Sequence, residues 1–305
     1  MDQASSLRQM VKSQNSERKV ARVITVTSGK GGAGKTSVSV NLAITLSRMG
    51  KKVVILDGDF GLANVEVMLG IRPGSNLADL MFKGKKLSDI INEGPENIGF
   101  ISGGSGIQEL TNLSVEQITT LAKSLCELDN MADVIIIDTG AGISAGIMEF
   151  IQASAEVLVV VTPEPTSITD AYALLKTLNR RRGSSKGNVK IKLLANRVKN
   201  MEEGEELYTK LNMVVSRFLN FEMEYAGAIP ADNNVIKAVM LQKPLVMAFP
   251  ECSSSKAFRK VADKLCDNQG QIQGGGIARI FTDIIKKNLI KRKNELEKLS
   301  KEKQV

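Results

Sequence analysis

The chain has 305 residues, 43% of them hydrophobic, enough apolar material for one large buried core with appendages. Its 41 Lys and Arg against 33 Asp and Glu leave a formal charge of +8, which favours an anionic partner: nucleotide, nucleic acid or an anionic lipid surface. There is no histidine, and Cys126, Cys252 and Cys266 stand far apart, so histidine-based triads and metal sites are excluded and neither a paired-cysteine zinc site nor a disulfide framework is indicated.

In chain order, residues 1–19 form a polar arm. Its start, Met1-Asp2-Gln3-Ala4, lacks the basic-plus-apolar pattern of a signal peptide. Short β-branched runs then alternate with helix-length segments: Val20 to Thr27, Val53 to Leu56, Ile98 to Ile101, Val134 to Ile137, Val157 to Val161, Ile191 to Ala195 and Ala226 to Ile229. Continuous apolar runs of this length read as strands buried on both faces, so the expected fold is α/β, a doubly wound and mostly parallel sheet. Runs such as Val157 to Val161 are too short to span a bilayer, and a cytoplasmic protein is expected. The main domain is placed at 20–266, followed by a Gly- and Gln-rich linker at 267–276 and an amphipathic segment at 277–305.

The first strand leads into Ser28-Gly29-Lys30-Gly31-Gly32-Ala33-Gly34-Lys35-Thr36, with a helical pattern from Ser37 onward. Gly29 to Thr36 satisfies the P-loop pattern in its strand-turn-helix setting. Backbone N–H groups along Gly31, Gly32, Ala33, Gly34, Lys35, Thr36 and Ser37 would cradle phosphates at a helix N-terminus. Lys35 would reach the β and γ oxygens, and the Thr36 hydroxyl would meet Mg²⁺. Two later strands, ending Ile55-Leu56-Asp57-Gly58-Asp59 and Ile136-Ile137-Asp138-Thr139-Gly140, carry carboxylates to the edge where open parallel sheets bind ligands. Asp residues at such places also cap helices and form turns, and the residues alone leave Asp57 open to either use.

Together these segments resemble the MinD/ParA family of deviant Walker A ATPases. An extra lysine, Lys30, opens the phosphate loop; Asp57-Gly-Asp59-Phe-Gly-Leu-Ala-Asn64 resembles the first switch and Asp138-Thr-Gly-Ala-Gly142 the second, over roughly Val20 to Cys266. The resemblance implies ATP/ADP and Mg²⁺ as ligands and a homodimer formed with ATP. In it Lys30 crosses to the partner's γ-phosphate, Asp59 orients the attacking water, and Asp57 and Asp138 hold Mg²⁺ with Thr36. It also implies that Asn196 and the Pro230 to Asp232 loop meet adenine, an amide offering both donor and acceptor, and that Glu164 makes a contact across the dimer face.

Both ends carry signals. Ile277, Ile280, Phe281, Ile284, Ile285 and Leu289 form one helical stripe, and from Ile277 to Val305 there are nine basic and four acidic residues. A basic amphipathic helix behind a glycine-rich linker reads as an anchor for anionic lipids; the same stripe would equally serve a helix docked on the protein's own core. The resemblance supports a conditional anchor, two weak helices gaining avidity when ATP pairs two chains, so that the ATP-bound protein lies on the inner face of the cell membrane.

At the other end, Asp2, Gln3, Ala4, Leu7 and Arg8 resemble the D-Q-A-x-x-L-R arm of FlhG, the MinD-like branch that regulates flagellar number and placement; the alternative is a plain N-terminal tail. That resemblance implies stimulation of a signal-recognition-type flagellar GTPase, FlhF-like, and contact with flagellar basal-body proteins. The other reading within the family is a division-site or DNA-partition ATPase. DNA is not the expected partner, because the basic surplus gathers at the tail and not across a broad patch. A metal-cluster carrier on this fold would need a cysteine pair, and a tyrosine kinase a terminal tyrosine cluster, and neither is present.

Overall fold

The computed structural model describes residues 20–59, 64–103, 124–125, 127–182, 189–267, 276–277 and 280. Eight strands form one sheet in the order β3-β4-β2-β5-β1-β6-β7-β8. They are β1 Arg22–Thr27, β2 Val53–Gly58, β3 Asn92–Glu93, β4 Gly99–Ile101, β5 Val134–Thr139, β6 Glu156–Val161, β7 Lys190–Val198 and β8 Glu224–Pro230. All pairings are parallel except β3 with β4. Every residue of β2, β5 and β6 is buried, as expected of strands covered on both faces.

Helices cover both faces. On one, α1 (Lys35–Arg48), α2 (Asn64–Leu69), α8 (Asn233–Met240), α9 (Leu245–Ala248) and α10 (Ser253–Asp267) close the largest core cluster around Ile24, Ile55, Ile136 and Leu194. On the other, α3 (Leu77–Phe82) and α4 (Leu87–Ile90) pack near the β3 edge. There α5 (Ala145–Ala153), α6 (Pro165–Arg182) and α7 (Met201–Leu219) cover the middle and the β8 side.

Strand β3 lies outside the seven runs expected from sequence. Its two residues carry no apolar run; it forms because the chain doubles back through Pro95–Asn97, where Glu96 and Asn97 take positive φ, to pair with β4. Strand β6 begins one residue earlier than its apolar run, with Glu156 fully buried. Arg22 grips that carboxylate through Nε and Nη2 at 2.8 and 2.7 Å, Lys192 Nζ lies at 3.0 Å, and Arg22 Nη1 donates to the Leu265 carbonyl at 2.6 Å. Burial alone would raise the Glu156 carboxyl, but Arg22 and Lys192 outweigh it and hold the group below its usual value.

Of the amphipathic tail, Ile277 and Ile280 are buried in the cluster that contains Leu125 and Leu128, and Asp129 Oδ1 accepts the Ile277 N–H at 3.0 Å. The start of the stripe is thus packed on the protein's own core, the docked use of such a stripe. Phe281, Ile284, Ile285 and Leu289 lie outside the described residues, as do the arm at 1–19 and nearly all of the 267–276 linker. Among the described residues no helix is long and apolar enough to cross a membrane.

Candidate functional site

Strands β2, β5 and β1 are consecutive in the sheet, and their C-terminal ends assemble the site. Asp57 pairs in register with Asp138, and Asp138 with Val26, one residue before the phosphate loop begins to leave β1. The loop turns through Gly32 (φ 76°) and Gly34 (φ 93°), left-handed conformations that favour glycine, and α1 starts at Lys35. No side chain caps α1 and no acidic residue lies in its first turn, so its N-terminal N–H groups are left for an anion. Gly31 and Gly32 are exposed at the mouth, Ala33 is buried, and Thr36 and Ser37 are half-buried on the first turn.

Lys35 is 8% exposed, and burial lowers its pKa against the opposing pull of Asp138 and Asp59. Asp138 is fully buried. Ser39 Oγ donates to its Oδ1 at 2.9 Å, while its Oδ2, shielded from solvent, accepts no hydrogen bond. Burial pushes Asp138 up to about 7, helped by Asp57 and opposed by Thr36, Ser39 and Lys35. A buried carboxylate oxygen without a donor, beside a threonine hydroxyl and a lysine, fits a hard cation that keeps most of its water ligands. No group of three or more Cys, Asp or Glu among the described residues forms a cage for a metal, which also suits Mg²⁺ held mainly through phosphate and water.

Asp57 is used differently. Its Oδ1 accepts the Asp59 N–H at 3.0 Å and its Oδ2 the Val65 N–H at 3.2 Å, so it clasps both sides of the first switch segment and caps α2 from a distance. Burial raises its carboxyl to about 6, the two backbone N–H donors partly countering. Asp59 is less buried. Asn64 Nδ2 donates to its Oδ2 at 3.0 Å, and Gly140 lies so close that a Cβ there would sit 3.0 Å from Asp59 Oδ1.

Lys30 does not point into its own phosphate loop. Its Nζ donates to Glu164 Oε2 at 2.6 Å and to Thr166 Oγ1 at 2.8 Å, at the start of α6. The hydrogen bond and charge of Lys30 hold the Glu164 carboxyl below its usual value. Here Glu164 meets a lysine of its own chain. Just before Lys30, Gly29 lies so tightly on the backbone of Asp170 and Ala171 that no side chain could stand in its place.

Asn196, near the end of β7, donates from Nδ2 to the Ala33 carbonyl at 2.8 Å, and a Cβ on Gly34 would approach that nitrogen to 2.5 Å. The donor side of the amide ties down the phosphate loop and leaves its acceptor for a base. Beside it, Asp232 caps α8 by accepting the Asn234 N–H at 2.9 Å and the Ser253 hydroxyl at 3.1 Å, and the Pro230 carbonyl accepts from Ser254 at 2.8 Å. The structure thus gathers Lys35, Thr36, Asp57, Asp59 and Asp138 at the sheet edge and ties Asn196 to their loop. It places Lys30 and Glu164 together at α6.

Four contributors escaped the sequence reading: Ser39, Asn64, Thr166 and Gly140. Ser39 lies four residues after Lys35, on the same side of α1, so helical spacing could have found it. Asn64 closes the first-switch motif. Thr166 and Gly140 carry no local signal.

A ParA family profile, described as NUBPL iron-transfer P-loop NTPase, matches residues 19–266. The chain is 44% identical over 244 residues to the antiactivator FleN of Pseudomonas aeruginosa, covering 80% of this chain and 86% of that protein. It is 34% identical over 271 residues to the flagellum site-determining protein YlxH of Helicobacter pylori, covering 87% and 90%. Among solved structures, the septum site-determining protein MinD of Pyrococcus horikoshii, complexed with Mg-ADP, superposes with a TM-score of 0.64 at 25% identity, covering 83% of this chain and 98% of that one.

Proposed function

This chain belongs to the ParA/MinD family of P-loop NTPases, and from that premise we propose that it is an ATP-driven dimerising switch that regulates flagellar number or placement. The observation that carries the nucleotide reading is the buried, donorless Oδ2 of Asp138 beside Lys35 and Thr36. The flagellar assignment rests on the relatives FleN and YlxH and on the Asp2-Gln3-Ala4 arm.

In this reading the loop N–H groups from Gly31 to Ser37 bind the nucleotide phosphates, Lys35 draws off negative charge from the β and γ oxygens, and Thr36 with Asp138 would hold Mg²⁺. The ion, when bound, neutralises charge gathering on the phosphates. Asp59, oriented by Asn64, holds the attacking water, and Asp57 moves the segment between them by releasing or keeping its two N–H groups. Asn196 offers its remaining acceptor to the adenine amino group, next to the Pro230–Asp232 loop. Lys30 leaves Glu164 to reach the γ-phosphate of a second chain, and Glu164 is then free for a contact of its own across the interface. Turnover ends the pairing.

Paired chains would bring two tails to one membrane and bind anionic lipid by avidity, through Phe281, Ile284, Ile285 and Leu289 with the released Ile277 and Ile280. The arm would act on an FlhF-like GTPase, Gln3 ordering a water and Leu7 and Arg8 fixing the arm. GTP turnover by the organism's own FlhF-like GTPase, with a peptide of residues 1–20 and with its Gln3→Ala version, tests this. Acceleration by the first alone supports the flagellar reading. No effect from either would return the chain to the broader division-site or partition class.

A further inference from the structure

Helix α8 is built inside out. Of its eight residues only Ala238 is buried, with Val235 packing beside it, whereas Ile236, Val239 and Met240 and the adjoining Leu241 are 61%, 44%, 80% and 58% exposed. Positions 236, 239 and 240 fall on one helical face. Single exposed apolar residues are ordinary, but a run of four on one short helix marks a contact surface.

The surroundings indicate what fits. Lys237 and Lys243 flank the apolar face and are exposed. The turn after α8 also abuts the end of α2: a Cβ on Gly70 would lie 2.7 Å from the Gln242 carbonyl oxygen, and exposed Arg72 follows two residues later. None of these three cations forms an ion pair with a described residue. The carboxylates at hand are Glu66, on α2, and Asp232, which is occupied by Asn234 and Ser253.

We propose that the outward face of α8 is a docking surface for an acidic amphipathic helix of another protein, whose apolar side covers Ile236, Val239, Met240 and Leu241 while its carboxylates meet Lys237, Lys243 and Arg72. The flexible thioether of Met240 suits a surface that moulds to a helix. A second copy of this chain fits poorly, because a two-fold contact would set the same cations against each other. A membrane fits poorly as well, since the patch is four side chains wide and lacks the aromatic residues that anchor at lipid interfaces.

The test uses the full chain and two synthetic amphipathic helices of three turns, one of Leu and Glu and one of Leu and Lys, followed by fluorescence anisotropy. The acidic helix should bind at least about tenfold more tightly than the basic one. Met240→Glu should weaken it about tenfold, and a Lys237→Glu, Lys243→Glu double variant by a similar factor, with unfolding midpoints unchanged. Phe218→Glu, at an exposed apolar site on α7 across the sheet, should leave binding intact.

Equal binding of both helices, or indifference to Met240→Glu, overturns the proposal. So does a Met240→Glu effect that appears in anionic-vesicle sedimentation, which would give the patch to lipid. Loss of a concentration-dependent dimer in the same variant would give it to a second copy and also overturn it.

Discussion

Lys30 and Glu164 are joined at 2.6 Å within a single chain, with Thr166 completing the hold at 2.8 Å. The pair is well exposed, and an ion pair in that setting contributes little to stability, so it is easily exchanged for another anion. If Lys30 serves a second chain, phosphate release per chain should rise with protein concentration. Lys30→Ala should flatten that dependence and lower turnover at least about a hundredfold, in the range of an arginine-finger loss, while nucleotide affinity in calorimetry changes little. Turnover proportional to protein in the unaltered chain would refute the role.

Asp59 and Asn64 should separate by degree. Asp59→Ala removes the group that faces the water, and hydrolysis should fall about a hundredfold with ATP still bound and the dimer retained in size-exclusion chromatography. Asn64→Ala loses one hydrogen bond to Asp59 and should slow the reaction about tenfold. An Asn64→Ala enzyme as dead as Asp59→Ala would make the asparagine more than an orienting group.

Glu156 makes a prediction about stability and pH, far from the chemistry. Its folded-state pKa is depressed, so its contribution is present above the ordinary glutamate value and is lost as pH falls through the lowered one. Glu156→Gln leaves Arg22 and Lys192 buried without their counter-charge and should cost about 3–5 kcal/mol at pH 7 by urea unfolding. The gap between variant and parent should shrink as the solution is taken well below pH 4. A gap that stays constant with pH would mean that packing, and not charge, holds this corner.

The tail should respond in opposite directions to two changes. Asp129→Ala removes the acceptor of the Ile277 N–H and should raise sedimentation of the nucleotide-free chain with anionic vesicles about two- to fivefold, since one lost hydrogen bond is worth roughly 1 kcal/mol. Ile284→Glu should lower sedimentation and spare ATP binding. If Ile284→Glu sediments like the parent, the stripe does not meet lipid.

Much of this was readable from sequence for a plain reason. The interior strands are buried on both faces, so Val134 to Ile137 and Val157 to Val161 had to be apolar without interruption, and the phosphate loop had to be glycine-rich to turn through Gly32 and Gly34. Other features had no local imprint. A strand-ending aspartate may coordinate or cap, and only the folded chain shows Asp57 holding the Asp59 and Val65 N–H groups. The tie from Asn196 to Ala33 spans 163 residues, and the pairing of Lys30 with Glu164 spans 134. Two-residue β3 lacks the length for any periodicity to register.

The contact of Gly29 with the backbone of Asp170 and Ala171 leaves no compressible layer between the phosphate loop and α6. Backbone against backbone behaves as a stiff joint, and α6 is an 18-residue rod, about 27 Å long, with that joint near its first turns. A small tilt at the nucleotide is therefore magnified at the rod's distant tip, and a push on the tip is returned to the loop with mechanical advantage reversed. The glycine serves here as a bearing.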